Sequence, residues 1–477
     1  MRDPAETPEE RAPRPGRRAW IAGATAAVLV LGVWIRVLGA RGDPWLDEVW
    51  SFALAREART AWGVLTLAHD NNHLLNTLWL RVVPDGAAAW VWRAPAVACG
   101  AAFLAVVVGL ARRRGPQAGL VAALVACASL PLVVYQSEAR GYSALLLAAV
   151  LAWVACRAYL AAPSAGRAAL FALACTAGLL SHASFLQAWA ALAGWSAVRM
   201  ARDSAHTAQA LGRWFALHAA PLVAIGVFAA LFLARMTIGG GPDRALLDVL
   251  GETVSLAVGL PRGAGFEAAA AVVVLLVLGA HVALERAAGH DAWVLLVLAV
   301  VIVPAIALAW LRPEFVAPRY FLVPLAAWLA AFAGVSARLV ARGGLARVVA
   351  VVLLAAFVLG NGWKIAAFLQ HGRGNWVALL QRVQERSVGP AATLATGGFD
   401  VGLLAEWAAP ALRPEPRIVL VGGGLARGAD WYLVQSAEER PAVAPQIELG
   451  PFAYALEAHS AFHGPSGAHW MLYRRVR

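Results

Sequence analysis

The segment AWIAGATAAVLVLGVWIRVLGA, at residues 19–40, decides the class of this protein. Arg36 is its only charged residue, and its length suits a bilayer, because a spanning helix needs about 20 mostly apolar residues. Similar apolar runs follow at residues 89–111, 117–135, 141–160, 167–182, 184–200, 214–234, 267–285, 291–311, 320–340 and 345–363. We therefore predict an α-helical polytopic membrane protein with about eleven transmembrane helices. We expect Arg36 to extend its charge to the nearby interface.

The composition of the whole chain agrees with this prediction. Its 477 residues are 61% hydrophobic and 14% charged, whereas soluble domains average about 45–50% and about 25%. This excludes a disordered chain and argues against a soluble enzyme. The net charge of +12 would suggest nucleic acid in a soluble protein. Here the arginines lie between apolar runs, so we expect membrane lipids as partners and no nucleic acid.

The positions of the arginines predict the orientation. They concentrate in alternate loops between the runs, at residues 112–114, 157–167, 199–213, 286 and 338–347. By the positive-inside rule these loops are cytoplasmic. The chain is then a multi-pass protein of the cell membrane with a disordered cytoplasmic tail at residues 1–18. An odd number of spans places the C-terminus outside the cytoplasm.

The chain divides into two folded parts. Residues 19–363 form the predicted transmembrane domain, with two large outer loops at 41–88 and 235–266. Residues 364–477 form a predicted extracytoplasmic α/β domain, because a helical pattern at 375–386 precedes short strand-like runs. Those runs are residues 391–396, 417–421, 431–434 and 469–473. The cytoplasmic loops are short, so we expect the chemistry at the outer face.

The first outer loop contains two adjacent carboxylates, Asp47 and Glu48, flanked by Trp45 and Trp50. Aromatic neighbours suit the membrane interface, where a carboxylate is partly desolvated. Such a carboxylate is a better general base for a hydroxyl proton. The alternative is that Asp47 only caps the following helix.

Further along the same loop, the segment HDNNHLLN at residues 69–76 is rich in polar side chains. His69, Asn72 and His73 are predicted to line a sugar pocket. A zinc site formed by His69, Asp70 and His73 is the alternative, but the His-Glu-x-x-His pattern is missing. We predict no required cofactor and no metal site, with a divalent metal left as an open alternative by the carboxylates. The following residues 74–83 are typical of an amphipathic helix on the membrane surface.

Three further polar clusters lie in predicted outer turns. The segment YQSEARGY at 135–142 contains Glu138 and Arg140, either as an ion pair that closes the turn or as a site for an anionic head group. The second cluster, Ser181–Ser184, contains His182. The third is the segment PRYF at 318–321, in which Arg319 is either an interfacial anchor or a phosphate ligand. All these clusters lie on the same predicted side of the membrane, which suggests a single site.

Taken in order, these motifs resemble those of the GT-C superfamily of membrane glycosyltransferases. The match rests on the segments WLDE (45–48), NNHLLN (71–76), YQSEARGYSALL (135–146), SH (181–182) and PRYFLVP (318–324). Within this superfamily, the chain is similar to the branch that contains protein O-mannosyltransferases and the aminoarabinose transferase of lipid A. The likeness covers about residues 19–340. One departure is His73-Leu74-Leu75, where relatives have His-Pro-Pro.

The resemblance implies a GT-C-like fold and a donor whose sugar is carried on polyprenyl phosphate. It also implies a catalytic first-loop carboxylate, which corresponds to Asp47. We therefore expect transfer of a hexose or pentose to the hydroxyl of a glycan, lipid or protein, with inversion. The rival hypotheses are a lipid or solute transporter and a non-catalytic subunit of a glycan assembly pathway.

In this mechanism the candidate residues have three roles. Asp47 is the general base, and Glu48 is a second catalytic candidate. Arg140 and Arg319 are predicted to bind the donor phosphate. Contacts with sugar or acceptor are predicted for the remaining polar residues of the four clusters: Asn72, His73, Glu138, Tyr142, His182 and Tyr320.

Overall fold

The structure is a computed structural model that describes residues 15–84, 86–237, 244–311, 316–396, 404, 412, 414–421, 428–436, 438 and 441–476. Most of the predicted N-terminal tail lies outside these residues. Its last part, from Pro15, already belongs to the first helix. The described residues form a large helical bundle and, after it, a smaller domain built on one β-sheet.

The bundle consists of the helices that carry the apolar runs. They are α1 (Pro15–Gly39), α5 (Ala89–Arg112), α6 (Pro116–Ala128), α7 (Leu130–Tyr135), α8 (Tyr142–Ala161), α9 (Ala165–Ser181), α10 (Phe185–Asp203), α11 (Thr207–Leu231), α13 (Ala264–Ala287), α14 (Ala292–Val297), α15 (Val303–Leu311), α16 (Leu322–Arg342) and α17 (Gly344–His371).

Among the described residues, eight helical segments are long and apolar enough to cross a membrane. The chain is therefore a multi-pass membrane protein, as predicted. The other three predicted runs fall on α6 with α7, on α9 and on α10, which are shorter or less apolar helices. The number of spans, eleven, stays a prediction.

Two of the predicted runs are interrupted helices. The break between α6 and α7 comes at Ser129, two residues before Pro131, whose ring has no N–H to continue a helix. The amide of Leu130 at this break donates to Oδ1 of the buried Asn361 in α17, at 2.9 Å. A π-helical turn, Leu298–Ile302, joins α14 to α15.

The most central helix of the bundle is α16. Of its most apolar window, 72% is buried inside the protein, against 11–33% for the other long helices. Leu325, Trp328 and Phe332 of α16 belong to a core shared with α6 and α17. Because most of α16 is buried, its packing positions the turn that precedes it, Pro318–Phe321.

Shorter helices cover one end of the bundle. Between α1 and α5 lie α2 (Leu46–Glu57), α3 (Ala61–Thr66) and α4 (Leu74–Val82), and α12 (Leu246–Val258) precedes α13. The helix predicted at residues 74–83 is thus confirmed, and its Leu74, Thr77 and Leu80 are buried against the protein. The two predicted outer loops are joined, since the amide of Asp70 donates to the carbonyl of Thr237 at 3.0 Å.

The C-terminal domain packs α18 (Trp376–Arg386) on a six-stranded sheet, in the order β2-β1-β3-β6-β5-β4. The strands are β1 (Ala391–Thr396), β2 (Arg417–Val421), β3 (Trp431–Ser436), β4 (Gln446–Leu449), β5 (Phe452–Ser460) and β6 (His469–Arg475). The α/β prediction is confirmed, with β1, β2, β3 and β6 at the predicted positions. The antiparallel pair β4–β5 was not predicted.

Candidate functional site

Asp47 lies in the first turn of α2, at the covered end of the bundle. The residue at the N-cap position is Trp45, so the alternative prediction that Asp47 caps this helix is wrong. Oδ2 of Asp47 lies 3.2 Å from Nη1 of Arg140 and 3.6 Å from Nη2 of Arg319. The carboxylate thus stands between two guanidinium groups, and its side chain is 16% exposed.

Arg140 comes from the tight turn between α7 and α8 and is almost fully buried. Its guanidinium donates to the carbonyl of Asp47 at 3.2 Å and to Oδ1 of Asn71 at 2.5 Å. It also donates to the hydroxyl of Tyr142 at 3.2 Å. These bonds tie the turn to the first loop and hold the cation beside Asp47.

Arg319 reaches the same place from a 3-10 turn, Pro318–Phe321, that leads into α16. Its guanidinium lies 5.8 Å from the ring centre of Trp45 and 5.7 Å from that of Tyr320. Arg140 lies 6.0 Å from the same Trp45 ring. Trp45 was predicted only as an interfacial neighbour of Asp47, but its ring attracts both cations.

His73 completes the group around Arg140. Its Nδ1 accepts a hydrogen bond of 2.8 Å from the amide of Gly141, which places the ring hydrogen of the neutral form on Nε2. Nε2 lies 3.4 Å from Nη2 of Arg140. Burial, reinforced by the nearby Arg140 cation, holds the pKa of His73 well below its usual value of 6.5. Two N–H donors therefore share one small space.

His182 and Tyr142 surround the ring of His73. The ring centre of His182 is 4.6 Å from that of His73 and 4.9 Å from that of Tyr142. The contact depends on Gly141, because a Cβ at that position would lie 1.8 Å from the carbonyl oxygen of Ser181. Backbone contact between two turns therefore brings His182 into the site.

The cluster formed by Asp47, His73, Arg140 and Arg319 carries a net positive charge. It contains two guanidinium cations and one carboxylate, and His73 is neutral at ordinary pH. Such a group is suited to bind an anion with several acceptor oxygens. Among the residues that the structure describes, no three His, Cys, Asp or Glu side chains form a group that could hold a metal.

Solved structures share this architecture. The crystal structure of ArnT from Cupriavidus metallidurans in the apo state matches with a TM-score of 0.53 at 12% identity, over 96% of this chain and 98% of that one. The chain has the GT-C fold. The fold that the sequence motifs implied is thereby confirmed.

Two other solved structures with the GT-C fold are similar at lower scores. ArnT from the same organism bound to undecaprenyl phosphate gives a TM-score of 0.48 at 14% identity, covering 95% of this chain and 98% of that one. The arabinosyltransferase EmbB from Mycobacterium smegmatis gives 0.41 at 17% identity, covering 70% of this chain and 31% of that one. No family model and no curated protein matches the sequence.

Glu48, predicted as a second catalytic carboxylate, has a different place in this GT-C fold. Its side chain is fully buried in a two-pronged ion pair with Arg93 of α5, at 2.6 and 2.8 Å. It also accepts hydrogen bonds from the amides of Ala139 and Trp45, at 2.6 and 3.1 Å. Burial would raise the pKa of Glu48, but Arg93 lowers it to about 2. A carboxylate engaged in this way positions the loop and is a poor base.

Glu138 also pairs with an arginine outside the cluster of Asp47, His73, Arg140 and Arg319. Its Oε1 lies 3.5 Å from Nε of Arg373, both side chains are buried, and Arg140 pairs with Asp47 instead. The predicted alternative of a Glu138–Arg140 pair is therefore wrong. Burial raises the pKa of Glu138, although Arg373 acts in the opposite direction. The sequence contained no signal for Arg373, which lies 235 positions away.

Asn72 and Tyr320 occupy the edge of the site. The amide of Asn72 donates to the carbonyls of Val64 and Leu67, both at 2.7 Å, so Asn72 shapes the loop and its neighbour Asn71 contacts Arg140. Tyr320 accepts, through its carbonyl, a 3.0 Å bond from the side chain of Gln187.

Arg36 was expected to extend its charge to the membrane interface, but it does not reach it. It is fully buried and donates to Oε1 of Gln136 at 2.7 Å and to the carbonyls of Gly32 and Ala126 at 2.9 and 3.1 Å. The partner, Gln136, begins the turn that carries Arg140. The charge of Arg36 is therefore used inside the bundle to hold this turn.

Proposed function

We propose that this protein is an integral membrane glycosyltransferase that moves a sugar from a polyprenyl-phosphate donor to an acceptor hydroxyl at the extracytoplasmic face. The observation that carries the proposal is the single carboxylate of Asp47 between Arg140 and Arg319, at one end of a GT-C bundle. A base and two phosphate ligands in contact are what a displacement at a phosphorylated sugar requires.

The phosphate is assigned to the space beside Arg140, Arg319 and His73. The two guanidinium groups offer forked donors. Nε2 of His73 carries a hydrogen and lies 3.4 Å from Nη2 of Arg140, so it adds a third donor at the same place. Donors that converge in this way suit the oxygens of a phosphate. Charge that develops on the departing lipid phosphate is stabilised by the same groups, an effect usually worth several kcal/mol.

Asp47 then acts on the acceptor. The acceptor oxygen forms a bond to the anomeric carbon, the bond from that carbon to the phosphate oxygen breaks, and the acceptor proton passes to Asp47. Displacement in one step inverts the anomeric configuration. In the structure the carboxylate lies between Arg140 and Arg319, and a donor phosphate competes with it for these guanidinium groups, so donor binding releases the base.

Exposed tryptophans support a location at the membrane boundary. Trp34 near the end of α1, Trp90 at the start of α5 and Trp310 at the end of α15 are 51%, 62% and 83% exposed. All three lie toward the helix ends that meet the site, and tryptophan is enriched where bilayer meets water. The arginine distribution supports the proposal that this is the extracytoplasmic side, with the N-terminus in the cytoplasm and the C-terminal domain outside.

A reconstitution assay tests the proposal. The full chain in proteoliposomes is supplied with radiolabelled polyprenyl-phosphate sugars and with glycan, lipid and peptide acceptors. We expect label to pass covalently to one acceptor class. Label that crosses the bilayer with its phosphate bond intact indicates the transporter, and no reaction with any pair favours the non-catalytic subunit.

The sugar and the acceptor are identified in the cell. Mass spectrometry of lipid-linked sugars and envelope glycans in a deletion strain should show an accumulated donor and a glycan that lacks one residue. Two fusions of a topology reporter, one truncated after residue 48 and one after residue 139, test the orientation. Reporters found on opposite sides of the membrane contradict the single site.

A further inference from the structure

A short segment joins the last membrane helix to the C-terminal domain and carries a buried cation. Arg373 lies between Gly372 and Gly374, whose φ angles of +63° and +98° favour glycine. A Cβ on Gly374 would lie 2.3 Å from the carbonyl oxygen of Ala468 in the domain. The two glycines let the chain turn sharply here and direct Arg373 into the bundle.

Arg373 binds two elements at the ends of membrane helices. It donates to the carbonyl of Gly39, at the end of α1, at 2.8 Å. It also donates to the carbonyl of Val134 at 3.0 Å and to the hydroxyl of Ser137 at 3.1 Å, and it pairs with Glu138. One side chain thus fixes the start of the first loop and the turn that carries Arg140.

The C-terminal domain makes a second set of contacts with the first loop. Nε1 of Trp376 donates to the carbonyl of Pro44 at 2.8 Å, and the amide of Val377 donates to Oδ2 of Asp43 at 2.9 Å. Val49, two residues after Asp47 on α2, is buried in the core of the C-terminal domain together with Trp376. The segment on both sides of Asp47 is therefore attached to the domain.

From these contacts we propose that the C-terminal domain is part of the catalytic centre and that Arg373 is its positioning residue. Asp47 and Arg140 lie on separate segments, and each segment is tied to the junction at residues 373–377. The junction sets the distance between the base and the phosphate ligand. The kinetic consequence rests on the proposed function, and the structural coupling does not.

The physical reason is the combination of a buried charge and several acceptors. Without Arg373, Glu138 is a buried carboxylate that has lost its paired cation, which is strongly unfavourable. The carbonyls of Gly39 and Val134 lose a donor as well. We expect the turn at 134–140 to move, and Arg140 to move with it.

Three variants of the full chain in detergent test this: Arg373→Met, the double variant Arg373→Met with Glu138→Gln, and Arg382→Ala. The last is the matched control, since Arg382 pairs with Glu457 inside the same domain. The readouts are hydrogen–deuterium exchange of residues 41–50 and 134–141, thermal stability, and the kcat and KM of transfer.

We expect Arg373→Met to raise exchange in both peptides, to lower thermal stability and to reduce kcat on the order of tenfold or more. The double variant removes the orphaned carboxylate, so thermal stability should recover while exchange stays raised and kcat stays low. Arg382→Ala should match the wild type in both peptides.

Either of two results overturns the inference: unchanged exchange in both peptides of Arg373→Met, or recovery of kcat in parallel with thermal stability in the double variant. The same changes in Arg382→Ala also contradict it. If the wild type transfers no sugar, the proposed function fails, and the exchange data still decide whether the domain orders the two segments.

Discussion

Nη1 of Arg140 lies 3.2 Å from Oδ2 of Asp47, although 93 positions separate the two residues in the chain. The same guanidinium also donates to the carbonyl of Asp47, so it holds both the backbone and the side chain of this residue. The proposed base and the proposed phosphate ligand are therefore one coupled unit. A change at either residue should affect both donor binding and proton transfer.

Replacement of Asp47 by Asn tests the base. The side chain keeps its size and loses its charge, so we expect normal expression and a loss of transfer of about 10²–10⁴-fold. Turnover of labelled donor measures it. The matched control is Asp70→Asn in the same loop, where the carboxylate pairs with His69. Turnover of Asp47→Asn close to that of the control would remove the base assignment.

Removal of either arginine tests the phosphate site. Arg319→Ala leaves the backbone contacts of Arg140 intact, so it is the cleaner variant. A hydrogen bond to a charged group is worth about 1.5–3 kcal/mol, so the donor KM should rise by about tenfold or more. Arg140→Ala should do the same and lower kcat as well. Arg244→Ala, which removes a partner of Glu252 outside this cluster, is the control. An unchanged donor KM in both variants speaks against phosphate binding.

Glu48→Gln tests the assignment of Glu48 as a positioning residue. The change leaves the fully buried Arg93 without its counter-charge, and breaking a buried pair costs about 3–5 kcal/mol. A fall in unfolding temperature and in yield should accompany any loss of activity. Glu57→Gln makes the same change on an exposed position of the same helix and should leave stability unchanged. If Glu48→Gln keeps full stability but loses turnover, the positioning role is wrong and Glu48 is a catalytic residue.

The neutral His73 predicts a dependence of stability on pH. The folded pKa lies well below 6.5, whereas the unfolded histidine takes up a proton as the pH falls through about 6.5. Below that pH the unfolded state binds more protons, so the stabilising contribution is present above about 6.5 and declines on acidification. His73→Asn keeps an acceptor for the amide of Gly141 and should show a smaller loss of unfolding temperature between pH 7.5 and 5.5. The exposed His206→Asn should keep the wild-type slope.

Gly141→Ala tests the contact between the two turns. The new Cβ would lie 1.8 Å from the carbonyl oxygen of Ser181, so one backbone must shift and His182 moves away from His73. We expect lower stability and a loss of transfer. Gly166→Ala at the start of α9 meets no atom within 4 Å and serves as the control. Wild-type activity of Gly141→Ala would show that the packing of these turns does not matter for function.

The sequence by itself determined the elements that depend on local pattern. The bundle helices follow the long apolar runs, because a bilayer requires about 20 apolar residues and internally satisfied backbone groups. In the C-terminal domain α18 and β1 follow helical and strand periodicity in the same way. Asp47, Arg140 and Arg319 were recognisable because charged residues beside a bilayer are costly and therefore stand out.

Only the tertiary structure decided the partners. Glu48 and Asp47 are adjacent in sequence, yet successive helical positions face different neighbours, so one pairs with Arg93 and the other with Arg140. The neighbours Asn71 and Asn72 differ in the same way, since Asn71 contacts Arg140 in the site and Asn72 bonds to the backbone of the loop. Glu138 found its cation in Arg373 because the packing of α1, α7 and α17 brings three helix ends together. Such contacts depend on helix packing in three dimensions, which no local pattern of residues specifies.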